Sequence, residues 1–328
     1  GLVKKEFISG VHINRVPGAS RSASIQKDLL KDLLYSLRVL AILPKADVTV
    51  TNTFWLPPFA SLYKRRFGKI VVNIARWPKN QCWLYAGADR LSAVSRAVAN
   101  EIISQSPRVA SIVKVVPNPV DTDIFKPTAE QPPCNGRFRV LYTGRIHPEK
   151  GIHLLIRAVK QLLPEYPALD LALVGHVKVE HGGGGANYLG DLKSAAQGLP
   201  VRFEEPILDP YSLALRMTKA DYYCYPSIAD KGESFGVAPL EAMALGYAPI
   251  LSSLSCFGEF AEDGVNAFLF DHHHADPVEQ LANAMRRAMR SSEKAREMGR
   301  RAFHMSQKFN YANISHLYLD DWNQVHKI

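Results

Sequence analysis

The sequence predicts an α/β protein made of two doubly wound parallel-sheet domains. Three observations carry that prediction. From about residue 139, short β-rich apolar runs alternate with helical patterns at the spacing of βα units. A segment holding five prolines, Pro117–Gly136, separates that half from a first half that alternates in the same way but less cleanly. The chain has 328 residues, 47% apolar and 22% charged, which suits about two domains with sizeable cores.

The elements follow in order. In the first half, Asp47–Thr51, Lys69–Ile74, Arg90–Val94 and Val113–Val116 read as strands, with helices over about 24–42 and 95–104. In the second, Arg139–Gly144 reads as a buried strand, and Ile152, Leu155, Ile156, Val159 and Leu163 then fall on one helical face. Leu169–Gly175, Val201–Phe203, Asp221–Pro226 and Ala248–Ser253 are further strands. Pro239–Gly246 reads as a helix with Pro near its start and Gly just past its end, and Asp276-Pro277 opens another through about Arg290. Gly182–Gly185 reads as a flexible loop and not a phosphate cradle, since no helix signal follows it directly. Two such domains are expected to face each other across a cleft at the C-terminal ends of their sheets.

Composition narrows the function classes. No apolar run approaches the roughly 18 residues of a membrane-spanning helix. The first residues carry no basic stretch followed by an apolar core and a small-residue cleavage site. The dispersed Cys82, Cys134, Cys224 and Cys256 fit a reduced, cytoplasmic protein without zinc knuckles or disulfides. The net charge of +9 is uneven: residues 1–125 sum to +10 and the remainder to −1. A basic first half suits nucleic acid, an anionic membrane or a phosphate-bearing substrate. No nucleic-acid recognition module is present in the sequence, so no nucleic-acid partner is expected.

Two segments look able to carry chemistry. Glu233-Ser-Phe-Gly-Val-Ala-Pro-Leu-Glu241 follows a strand and runs into a helix, so amides near Phe235 and Gly236 form an anion site at the helix start. Carboxylates there repel phosphate, so Glu233 and Glu241 suit hydroxyls beside it, such as those of a ribose and a sugar ring. Gly144-Arg145-Ile-His-Pro-Glu-Lys150-Gly151 is again strand, loop and helix, with Gly144 permitting close approach and Arg145 and Lys150 projecting cations. Neither GxxxxGK[ST] nor GxGxxG occurs, which weighs against a P-loop enzyme and a nicotinamide oxidoreductase. His272-His273-His274 is assigned no metal, because consecutive residues of a regular element cannot converge on one ion and no acidic cluster adjoins them. Phe54–Arg66 has two readings. It is a weak contact to anionic lipid through Lys64, Arg65 and Arg66, or a partly buried helix with a solvated end.

Taken in order, these pieces resemble the retaining glycosyltransferases of family 4, which have the GT-B fold. Val116–Pro127 (VPNPVDTDIFKP) is similar to that family's interdomain loop, with Pro119 in place of the usual Gly. VLYTGRIHPEKGIHLLIRAV resembles its donor segment, and ADYYCYPS, ESFGVAPLEAMALG and GVNAFLF follow in the family's sequence. The resemblance covers about residues 45–325 and implies domains at 1–120 for the acceptor and 121–306 for a nucleotide-sugar donor. Residues 307–328 would be a helix packing back on the first domain, and that domain's first strand, loop and helix are either omitted from this sequence or reduced.

The resemblance also implies roles. Glu241 would hold the ribose and Glu233 the donor sugar, with backbone groups at Ser234, Phe235 and Gly236 beside sugar and diphosphate. Arg145 and Lys150, after Gly144, would stabilise the departing diphosphate, and the base would lie near Glu205–Ile207. The family's histidine near the reacting carbon is replaced by Ile74-Ala75-Arg76-Trp77, so Arg76 is the candidate on the acceptor side and no catalytic base is assigned. The expected activity is retaining hexosyl transfer from a UDP-sugar, with UDP-glucose as first candidate. No metal or cofactor is required. The expected acceptor is a saccharide or lipid-linked saccharide in cell-surface polysaccharide synthesis, at the inner face of the membrane. The alternatives are a GT-B UDP-sugar isomerase or epimerase, and a non-catalytic nucleotide-sugar-binding protein.

Overall fold

The computed structural model describes residues 3–19, 24–127 and 136–327. Cys134 and part of the proline-rich segment lie outside them. The chain divides into two compact units, 1–116 with 317–328, and 117–316.

The first unit opens with an antiparallel hairpin, β1 (Lys5–Ile8) and β2 (Val11–Asn14), which the sequence pattern did not reveal. Its sheet is parallel, with β3 (Val48–Thr51), β4 (Lys69–Ile74), β5 (Arg90–Ala93) and β6 (Val113–Val115) side by side in chain order. The central strands are β-branched or apolar and nearly fully buried, as a sheet covered on both faces requires. Helices Ile25–Ile42 and Arg96–Gln105 match the expected ones within a residue. Ser95 caps the second, its side chain accepting from the Val98 amide at 3.2 Å. The aromatic–basic stretch forms two short helices, Leu56–Ser61 and Lys64–Phe67. Near the C-terminus, Asp321 is wholly buried and pairs with Arg90 at 3.0 Å and Lys114 at 3.2 Å.

The second unit holds six parallel strands: β7 (Phe138–Thr143), β8 (Leu169–Val174), β9 (Val201–Glu204), β10 (Tyr222–Tyr225), β11 (Ile250–Ser252) and β12 (Phe268–Phe270). Their spatial order is β12-β11-β10-β7-β8-β9. The chain therefore builds outward from β7 in one direction, then returns to its other side at β10. Right-handed crossovers in opposite directions place helices on opposite faces and open a crevice between β7 and β10, beyond their C-terminal ends. Both candidate segments follow those two strands. Helix Ile152–Leu162 buries seven of its residues, and helix Pro277–Met289 is capped by the Asp276 carboxylate, which accepts from the Glu279 amide at 3.0 Å.

One expectation is overturned. Helix Gly185–Ala195 starts directly at the glycine run, and the run is not a loose loop. The amides of Gly182, Gly183, Gly184 and Gly185 donate to the carbonyls of Val179, Lys178, Ile146 and Val177 at 2.8–2.9 Å. A Cβ on Gly183 would lie 2.2 Å from the Val177 carbonyl oxygen, so glycine serves close backbone packing here. With all four N–H groups engaged, nothing remains there to cradle a phosphate.

Candidate active site in the second unit

At the β7 end, Gly144 turns the chain out of the sheet. A Cβ there would meet the Tyr142 hydroxyl at 2.8 Å and the Tyr225 ring at 3.2 Å, so only glycine fits against the stacked pair Tyr142–Tyr225. Arg145 follows. Its guanidinium donates to the Gly182 carbonyl at 2.9 Å and to the Glu149 carboxylate at 2.7 Å. Glu149 was not expected to matter, although its place four residues after Arg145 is a legible pairing distance. Lys150 ends a single turn, Pro148–Lys150, and is almost completely buried.

The Lys150 ammonium donates to the Glu233 carboxylate at 2.7 Å and lies 5.6 Å over the Tyr225 ring. The Tyr225 hydroxyl donates to the same Glu233 oxygen at 3.1 Å. A buried carboxylate facing a buried ammonium is costly to assemble unless each is satisfied, and here each is. Burial, then the nearby Glu233 charge, holds the Tyr225 hydroxyl well above its ordinary pKa, so it stays a proton donor toward Glu233.

Glu233 reaches this position through the turn that follows β10, where its amide and that of Gly232 both donate to the Ala229 carbonyl. Beyond Ser234, the Phe235 side chain is buried in a cluster with Phe260 and Phe309, so its available group is its backbone. Gly236 precedes helix Val237–Ala244 at φ 92°, and a Cβ there would sit 2.5 Å from the Phe257 ring. Among the described residues, the Phe235 and Gly236 amides donate to no group. They point at the start of a helix, where partial positive charge collects.

Glu241 lies one turn into that helix, and burial alone pushes its carboxyl up to about 7. That carboxyl group has no hydrogen-bond or ion-pair partner among the described residues. An unmatched, half-buried carboxyl beside an anion site is suited to receive hydroxyl donors. Ile207 sits half-buried in the loop after β9, two strands from β7 and therefore about 10 Å along the sheet.

The structure thus brings Gly144, Arg145, Lys150, Glu233, Ser234, Phe235, Gly236 and Glu241 to the ends of two adjacent strands. Arg76 belongs to the first unit. It is exposed in the loop after β4 and borders two hollows of about 770 and 390 Å3, the larger shared with Asp28, Lys31, Asp32, Tyr35 and Phe54. In the suggested membrane stretch, Lys64 pairs with Asp89 at 2.8 Å and Arg66 donates to the Leu43 carbonyl at 2.8 Å.

A doubly wound sheet with free helix-start amides at its switch point and cations on the neighbouring strand end has the layout in which open α/β sheets bind ligands. The chain belongs to the family described as glycosyl transferases group 1, whose model matches residues 127–305. It is 36% identical over 152 residues to a phosphatidyl-myo-inositol mannosyltransferase of Mycobacterium tuberculosis, covering 45% of this chain and 37% of that protein. It is 26% identical over 251 residues to a D-inositol 3-phosphate glycosyltransferase of Paenarthrobacter aurescens, covering 73% and 58%. The chain thus spans between about a third and three fifths of these relatives' lengths. Among solved structures, sucrose-phosphate synthase of Thermosynechococcus elongatus matches with a TM-score of 0.81 at 20% identity, over 98% of this chain and 86% of that one. HepE of Anabaena, solved with UDP and glucose, matches with a TM-score of 0.72 at 20% identity, over 92% and 83%. The fold is GT-B.

Proposed function

We propose that this protein is a retaining glycosyltransferase that moves a hexose from a nucleoside-diphosphate sugar to a hydroxyl acceptor. The observation that carries the reading is the buried Lys150–Glu233 pair beside two unengaged amides, with the partnerless Glu241 on the same helix. In this reading Glu241 accepts from the ribose hydroxyls and Glu233 from the donor sugar. The Phe235 and Gly236 amides take the diphosphate, and backbone near Ile207 takes the base. When the bond between the anomeric carbon and the diphosphate oxygen breaks, negative charge grows on that oxygen. Lys150 and Arg145, already oriented by Glu233 and Glu149, stabilise it without reorganising. No metal is needed for that step. The acceptor oxygen forms the new bond on the face the diphosphate leaves, its proton passing to the departing diphosphate oxygen, and Arg76 is the candidate contact on the acceptor side.

UDP-glucose is the first donor to try, supported by the HepE complex as a neighbour in fold. For the acceptor, the named relatives favour an inositol-bearing molecule over a generic saccharide within cell-surface polysaccharide or glycolipid synthesis. No helix among the described residues is long and apolar enough to cross a membrane. The test is a donor panel (UDP- and GDP-sugars) followed by nucleotide release, with and without myo-inositol, inositol phosphate, phosphatidylinositol and cell-derived glycolipid. Acceptor-dependent release with the anomeric configuration kept supports the reading. Tight nucleotide binding with no release from any donor would instead make the protein a binder.

A further inference from the structure

We propose that Asp230, His272 and His273 form a binding site for one divalent transition-metal ion of the zinc class. His272 lies 42 positions after Asp230, so spacing along the chain concealed the cluster. The fold brings them together: one Asp230 carboxylate oxygen lies 3.1 Å from His272 Nε2 and 3.2 Å from His273 Nε2. All three ligand atoms lie within 4.8 Å of one another. Ligands bound tetrahedrally at 2.0–2.1 Å are separated by about 3.3 Å, so Asp230 already stands at ligand spacing from both imidazoles and the two ring nitrogens need only draw together to seat an ion. Two imidazoles and one carboxylate select zinc, nickel, copper or cobalt over magnesium and calcium, which favour all-oxygen shells.

The objection that consecutive histidines cannot face one ion holds for a regular element. These two stand on a turn, and the turn's own polar groups fix it. The Asp271 carboxylate accepts from the His273 amide at 2.9 Å, and His274 Nδ1 accepts from the Asp276 amide at 3.1 Å. His274 is thereby turned to other work. The His272 side chain is only 3% exposed and so is held by its surroundings, whereas His273 and Asp230 are more than half exposed and open to an arriving ion. While the site is empty the Asp230 carboxylate keeps the proton on His272 Nε2; the buried Nδ1 has no partner among the described residues, so it can take that proton when an ion claims the Nε2 lone pair.

The ion would join two loops at the strand ends: the turn after β12 and the loop after β10 that carries Glu233 three residues beyond Asp230. Its role is to brace that loop, not to act on substrate.

The test is calorimetry of Zn2+ with tag-free full-length protein, repeated with Mg2+. One ion per chain is expected, with a raised thermal midpoint and no response to Mg2+. Loss of an outer-shell partner alone weakens metal sites about 10–100-fold, so His273→Gln and Asp230→Asn should each weaken binding at least tenfold. His274→Gln should leave it unchanged. His273 is exposed, so its variant keeps the fold. Absence of saturable Zn2+ binding, or equal binding by the wild type and His273→Gln, would reduce the cluster to a hydrogen-bonded contact and overturn the proposal. Because the ion does not touch the reacting atoms, chelation that abolishes Zn2+ binding while sparing turnover is also the expected result. The metal site and the transferase reading therefore fail independently.

Discussion

Replacing Glu241 by Gln should stabilise the empty protein and weaken its grip on nucleotide, and both effects follow from one number. Burial raises the carboxyl from 4.5 to about 7. A carboxyl with a raised pKa gives its full stability below its unfolded value and loses it as pH rises through the folded value. A shift of this size, at 1.36 kcal/mol per unit, makes the ionised residue a burden of about 3 kcal/mol at pH 8, against about 1 kcal/mol at pH 5. Glutamine keeps the shape and never ionises, so its stability advantage should grow from pH 5 to pH 8 by about 2 kcal/mol. Nucleotide binding should go the other way. Ribose hydroxyls donate best to the ionised form, and a hydrogen bond to a charged group is worth about 1.5–3 kcal/mol, so UDP affinity at pH 8 should fall roughly 10–150-fold in the variant. Wild-type affinity should also climb toward tenfold between pH 6 and pH 8, beyond any rise the variant shows. The assays are urea unfolding at pH 5 and pH 8 and UDP calorimetry at several pH values. A stability gain that is the same at both pH values, or unchanged UDP affinity, would refute the placement of Glu241.

Lys150→Ala should lower turnover by about 10²–10³, the usual loss of one preorganised charge contact, and Lys150→Arg should rescue poorly because a planar fork cannot replace a compact ammonium within reach of Glu233. Activity should survive EDTA in a steady-state assay; restoration by Mn2+ of an EDTA-silenced enzyme would mean the diphosphate is held by a metal. Gly236→Ala forces a Cβ to 2.5 Å from Phe257 at a positive φ, and thermal denaturation should register a loss of about 1–3 kcal/mol. Asp321→Ala strips the buried partner of Arg90 and Lys114, so denaturant unfolding should show a loss of about 3 kcal/mol or more. Since Asp89 already engages Lys64, salt-sensitive sedimentation with anionic vesicles should weaken with Arg65→Glu more than with Lys64→Glu.

Much of the fold was legible because its cause is local. Lys69–Ile74 is apolar and β-branched at four of its six positions and became β4 to the residue, and Asp276-Pro277 announced its helix by capping chemistry. The candidate site was legible for a different reason: its residues come in motifs attached to strand ends, so order along the chain stands in for proximity. What escaped reading is long-range. The hairpin Lys5–Asn14 is mostly exposed, so it leaves no apolar alternation to detect. The glycine run looked loose because its amide partners, Ile146 and Val177 among them, lie outside it. That Glu233 would close on Lys150, 83 positions away, and that Arg145 would be shared between Glu149 and Gly182, depend on how the loops fold over the strand ends.

Asp321 gives the first unit a history during synthesis. Arg90 and Lys114 are made before the second unit, yet the carboxylate that neutralises them comes only after it. About 200 residues intervene, and at 5–20 residues per second they take roughly 10–40 s to appear. The second unit, contiguous in the chain, can settle during that interval, while the first waits with two cations facing a gap. Of the two units, the one begun first is therefore the one completed second. A nascent chain stalled anywhere before Leu317 should present that incomplete half to chaperones and proteases, however well its companion has folded.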